Sequence, residues 1–223
     1  MQLQERSYNS QVIRPRPLIY QDQAQGFLLM MTPWGSQESC QKVMDFVLQF
    51  LLTSKQDSDL TTPFQSILSL SDEANALRVA TLMANDYIYR NMNVEKYDFV
   101  VETMFLSFSK YHVAWAQMGC PHLAIKKQNG WMQPISFLPE THSNLVHVPL
   151  PLQFLGVEPT IAPRCGDLFL EKGDELLFLS SSEVPPSLWG GPNGESFSDW
   201  SEKLVREQES QPFWLGRLKL DGA

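Results

Sequence analysis

Chemistry needs particular side chains at particular spacings, and four places in this chain offer candidates. His142 and His147 stand five residues apart in Thr141-His142-Ser143-Asn144-Leu145-Val146-His147, a spacing that fits no helical zinc signature, and the segment around them has no periodicity. Metal ligation is not expected there. Cys120-Pro121-His122 sets a thiol beside an imidazole, the pair a nucleophile and its base would need. Neighbours on an extended chain point to opposite faces, however, and a proline intervenes, so a buried small Cys is the expectation. Ser180-Ser181-Ser182-Glu183 groups hydroxyls without a GxSxG elbow or an assignable His and Asp, which suits the end of a strand whose free backbone groups need partners. Gly190-Gly191-Pro192-Asn193-Gly194 is rich in glycine but lacks a following Lys-Ser, so it reads as a surface loop and not a phosphate cradle.

The elements that must position these residues follow from the apolar pattern. Gly26-Phe27-Leu28-Leu29-Met30-Met31 is a continuous apolar run closed by Thr32-Pro33-Trp34-Gly35, as in a buried strand stopped by a turn. From Ser36 the period changes: Val43, Phe46, Val47, Phe50 and Leu51 recur at three and four residues, which predicts an amphipathic helix of about five turns. A second helix is predicted over 71–92, capped by Ser71 with Asp72 and Glu73 in its first turn. Residues 99–135 read as an antiparallel meander of short strands, and 167–170 with 175–179 as a hairpin around Glu171-Lys172-Gly173-Asp174. A helix over 196–207 and a strand over 213–220 close the sequence. Trp115 and Trp131 are expected in the core, while Trp34, Trp189 and Trp200, in or beside loops, are candidates for exposure. Strands, helices, strands, then helix and strand again make an α+β order, with two antiparallel sheets and outer helices as its simplest layering.

Composition bounds the functions available. The chain has 223 residues, 43% of them hydrophobic, with 17 basic and 25 acidic side chains, a net charge of −8. The pI is near 5.0. Such a surface repels phosphate backbones and anionic lipids, so neither nucleic acid nor membrane is an expected partner. Three cysteines with no CxxC fit a reducing compartment, and no export signal or membrane span is visible, so a cytoplasmic location is expected. Residues 1–13 are polar and read as a flexible N-terminal segment, with 14–223 a single domain.

Over residues 14–220 the element order and several local phrases resemble the metal-dependent protein phosphatase family of the PPM type, protein phosphatase 2C-like. Gly173-Asp174-Glu175-Leu176-Leu177-Phe178-Leu179-Ser180 is similar to that family's Gly-Asp-x-Leu-Leu-Leu-x-Ser. Phe27 to Gly35 matches its first strand and Asp-Gly-x-Gly-Gly turn, Glu102-Thr103-Met104-Phe105 its Gly-Thr-Thr phrase, and Met118-Gly119-Cys120-Pro121-His122 its Val-Gly-Asp-Ser-Arg. The resemblance implies a four-layer αββα sandwich whose acidic loop ends hold two Mg or Mn ions, which activate water against a phosphoserine or phosphothreonine.

The acids of that site are missing. Thr32 stands at the bridging aspartate, Pro33 at the glycine beside it, Cys120, Ser181 and Ser210 at further aspartates, and 14–17 holds Arg and Pro in place of Asn-Glu-Asp. Hard dications need anionic oxygens, so no metal centre and no cofactor are expected. The resulting expectation is a pseudophosphatase acting as a protein-binding or regulatory module, its partner a phosphoprotein, kinase or regulator, with Trp34 and Trp189 as contact candidates. Two alternatives stand beside it. One is an active phosphatase with a relocated Mn or Mg site using Glu183, Asp167 or Asp174; the other is a structural subunit of a larger assembly.

Overall fold

The computed structural model describes residues 1–9, 13–56, 63–137, 153–181, 184–189, 196–207 and 211–220. In chain order the elements are β1 (Gln2–Tyr8), β2 (Leu18–Asp22), β3 (Phe27–Trp34), α1 (Gln37–Gln56), α2 (Asp72–Tyr87), a π-helical turn (Ile88–Met92), β4 (Val100–Ser109), β5 (His112–Met118), β6 (His122–Lys126), β7 (Met132–Ser136), β8 (Arg164–Phe169), β9 (Glu175–Ser180), α3 (Pro186–Trp189), α4 (Phe197–Glu207) and β10 (Phe213–Lys219). They form two antiparallel five-stranded sheets, ordered β1-β10-β9-β6-β7 and β2-β3-β4-β5-β8, each carrying helices. The chain divides into two compact units: a first built on β1, β6, β7, β9, α3, α4 and β10, and a second built on β2 to β5, β8, α1 and α2. The α+β class and the helix-bearing antiparallel sheets are as expected.

In the second unit, α1 starts where the Ser36 hydroxyl accepts from the Ser39 amide at 3.2 Å. The Ser71 hydroxyl likewise accepts from the Ala74 amide at 3.0 Å to start α2. The apolar stripes of both helices, with Val43, Val47, Leu77 and Ala80, pack on Phe27, Leu29, Met31, Phe105, Ala114 and Ala116. Leu28, Met30, Met104 and Leu106 point to the other face and are equally buried. Burial on both faces explains why β3 reads as an unbroken apolar run. In the first unit, Trp200 and Leu204 of α4 and Leu188 of α3 cover Ala124, Leu177, Leu179, Phe213 and Leu215.

Several expectations are corrected. The N-terminal segment expected to be flexible contributes β1, in register with β10 from Gln2 opposite Lys219 to Tyr8 opposite Phe213. An edge strand tolerates so polar a sequence because it has one neighbour and need not bury both faces. The meander splits: β4 pairs with β5 in one sheet, while β6 pairs with β7 in the other. The 167–179 hairpin does not form, since β8 pairs with β5 and β9 with β6 and β10. Gly and Asp announce that the chain turns, and which strand it then meets is decided by the whole sheet. Trp131 is 75% exposed beside the β6–β7 turn, whereas Trp200 is 3% exposed on the inner side of α4, the reverse of their expected places.

Candidate functional site

Thr32 is the sixth residue of β3 and is fully buried, on the strand face turned away from α1 and α2. Its Oγ1 is buried without a hydrogen-bond partner. Directly opposite on β4 lies Glu102, 1% exposed. The Trp34 indole Nε1 donates to Glu102 Oε2 at 2.9 Å. A Cβ on Gly119 would lie 2.8 Å from Glu102 Oε1, and its φ is +77°, so this position excludes any side chain on two grounds. Gly119 is the residue that Met118-Gly119-Cys120-Pro121-His122 shares with the phrase it resembles, and the packed Glu102 carboxylate gives the position a reason to be glycine. Pro33, next to Thr32, is buried opposite Val101.

The remaining described positions belong to the first unit. Cys120 is 5% exposed and its thiol is unbridged. His122 is 4% exposed, its ring stacked on Phe137 at 4.8 Å and 4°. Phe137 in turn meets the Trp189 ring at 5.0 Å, so the exposed Trp189 is the outer member of an aromatic ladder. Ser181 is 3% exposed and follows Ser180, whose hydroxyl is buried without a partner. Ser210, Glu183, His142 and His147 lie outside the described residues. Trp34 is half-buried with its indole engaged on Glu102, which leaves Trp189 the more open of the two contact candidates.

The acids considered as replacement ligands have structural partners. Asp167 accepts from the Ser71 hydroxyl at 2.5 Å and the Ser71 amide at 3.1 Å, and lies 2.7 Å from His112 Nε2. Burial pulls its carboxyl upward, but the Ser71 and His112 hydrogen bonds outweigh burial and hold it below the usual carboxylate range. Asp174 Oδ2 accepts from Lys127 Nζ at 2.7 Å and the Glu171 amide at 2.9 Å, which closes the β8–β9 turn. Burial pushes the Cys40 thiol up to about 12, so it is no nucleophile at neutral pH. Among the described residues no group of three or more His, Cys, Asp or Glu is placed to hold a metal ion. No helix among them is long and apolar enough to cross a membrane.

Thr32 stands out in the sequence and Glu102 does not, because the two are 70 positions apart in number and meet only through the β3–β4 register. The available signal was Glu102 as the single charged residue, third in an otherwise uncharged strand.

No protein-family model matches the chain. No curated protein matches it either. Solved structures do. The serine/threonine phosphatase PstP/Ppp of Mycobacterium tuberculosis is similar with a TM-score of 0.66 at 15% identity, over 99% of this chain and 98% of that one. The PPM Ser-Thr phosphatase MsPP of Mycobacterium smegmatis matches with a TM-score of 0.58 at 13% identity, over 99% of each chain. PppA, a regulatory component of T6SS in Pseudomonas aeruginosa, matches with a TM-score of 0.61 at 13% identity, over 97% and 96%. The chain therefore has the PPM phosphatase fold over its whole length. The PstP catalytic domain has been solved in complex with two manganese ions. The positions that the resemblance matches to metal ligands do not fit such a pair: Thr32, Cys120 and Ser181 each bring no carboxylate, and a buried hydroxyl adds no negative charge to offset the repulsion between two dications.

Proposed function

We propose that this chain is a catalytically silent PPM-fold module, a cytoplasmic pseudophosphatase that works by binding another protein. The observation that supports the reading is Thr32, a fully buried hydroxyl with no hydrogen-bond partner, at the position that the resemblance matches to the bridging aspartate. The fold is that of the PPM phosphatases, so on this reading what differs is the donor set and not the scaffold. A phosphoprotein, a kinase or a regulator is the partner class that the fold suggests. Trp189, 40% exposed on its aromatic support, is the contact residue offered, since exposed aromatics on rigid bases anchor interfaces at low entropic cost.

One observation favours a second reading. Glu102 sets a carboxylate across the ladder from Thr32, so an active phosphatase with a shifted metal site would draw on it. Titration of chelator-treated protein with Mn2+ and Mg2+, with p-nitrophenyl phosphate turnover followed in the same samples, separates the two. The silent module shows neither saturable binding nor turnover. Metal-dependent turnover that disappears in Glu102→Gln would overturn it in favour of the shifted site.

A further inference from the structure

The first unit's sheet carries a charge cluster on its helix-bearing face, beyond the apolar patch. Lys219, Glu175 and Lys126 lie in one cross-strand row on β10, β9 and β6. Arg217, two residues before Lys219, shares their face. It grips both carboxylate oxygens, Nε at 2.7 Å from Oε2 and Nη2 at 2.6 Å from Oε1. The lysines stand further back, Lys126 Nζ at 3.5 Å from Oε2 and Lys219 Nζ at 3.6 Å from Oε1. Three of the four side chains are largely covered: Arg217 is 10% exposed, Glu175 14% and Lys126 15%, while Lys219 is 44% exposed.

Arg217 alone completes the ion pair that Glu175 needs, because a guanidinium fork and a carboxylate match two bonds to two oxygens. The ammonium groups of Lys126 and Lys219 are then in excess. The row holds one acid against three bases, and among the described residues no second carboxylate joins it. Lys127, next in sequence, is neutralised separately by Asp174 and Glu171. Two unbalanced positive charges held close together, that of Lys126 largely out of water and that of Lys219 half-exposed, are costly unless an anion joins them. Their presence on a chain of net charge −8 is not a by-product of general basicity.

We propose that Lys126 and Lys219 form an oxyanion site for a phosphate monoester, with the Arg217–Glu175 pair as its rigid floor. A monoester dianion carries close to the two negative charges that the cluster lacks, and each ammonium has donors left for its oxygens. The site lies wholly in the first unit and stands whether or not the chain is catalytically silent.

The test is calorimetric titration, at low ionic strength, with inorganic phosphate, with a phosphoserine peptide and with the same peptide unphosphorylated. The expected result is saturable binding of the phosphorylated probes, weakened at least about tenfold in Lys126→Gln/Lys219→Gln and unchanged in Lys42→Gln, whose ammonium pairs with Glu38 on α1. Glu175→Gln removes the competing negative charge and is expected to tighten binding, a direction that a merely structural ion pair would not produce. If that variant melts, the lysine pair decides alone. Tighter binding of the phosphopeptide than of inorganic phosphate assigns the site to a phosphoprotein, and equal binding assigns it to free phosphate. No saturable binding by the wild type, or equal affinity in the lysine double variant, overturns the proposal.

Discussion

Thr32 and Glu102 sit directly opposite each other on β3 and β4, where facing Cβ atoms are about 5 Å apart. An aspartate at 32 would therefore set two buried carboxylates side by side, with no dication to share them. Thr32→Asp is expected to destabilise the fold by about 3 kcal/mol at pH 7, the scale of an uncompensated buried charge. The loss should shrink as pH falls through the carboxylate range and protonation removes the repulsion. Urea unfolding at pH 7 and pH 4 checks this, and a variant as stable as the wild type at pH 7 would show that the position still accommodates charge. That Thr32 stands near the end of a buried apolar strand was legible in the sequence, because it needs only the run Phe27-Leu28-Leu29-Met30-Met31 and the turn residues after it. The engagement of Trp34 by Glu102 was not, since it depends on strand register.

Single contacts become element placement around Asp167. This residue of β8 ties the first turn of α2 through Ser71 and the start of β5 through His112, so one carboxylate joins three elements of the second unit. Its folded pKa is depressed, so its contribution is present above the unfolded carboxylate value near pH 4 and is lost as pH falls through the lower folded value. Asp167→Asn should cost about 2 kcal/mol at pH 7, the worth of hydrogen bonds to a charged acceptor, and should flatten the acid limb of the stability profile. Equal acid limbs in wild type and variant would remove Asp167 from that role. Helix starts were legible because Ser36 and Ser71 cap locally, through bonds to residues three positions on. Strand partners were not: Glu171-Lys172-Gly173-Asp174 has the residues of a hairpin turn, yet it joins β8 to a strand of the other sheet.

For the molecule as a whole, the two units each have a core of their own, one gathered under α1 and α2 and the other under α3 and α4. Neither cluster needs a metal to explain its cohesion. Ligand linkage turns this into a measurement, because any ion that binds the folded chain alone must raise its melting temperature. An ion at a hundred times its dissociation constant adds about 2.7 kcal/mol, and in a chain of this size each kcal/mol raises the midpoint by about 2–4 °C. A genuine Mn2+ site would thus shift the melt by roughly 5–10 °C at millimolar metal if its dissociation constant is about ten micromolar. We expect chelator and Mn2+ traces to coincide within about 1 °C, apart from a weak, unsaturating drift shared by Mn2+, Mg2+ and Ca2+ that a surface of net charge −8 produces by itself. A saturable shift specific to Mn2+ would mean that the fold still assembles an ion site despite Thr32, Cys120 and Ser181, and Glu102 would be the first ligand to mutate.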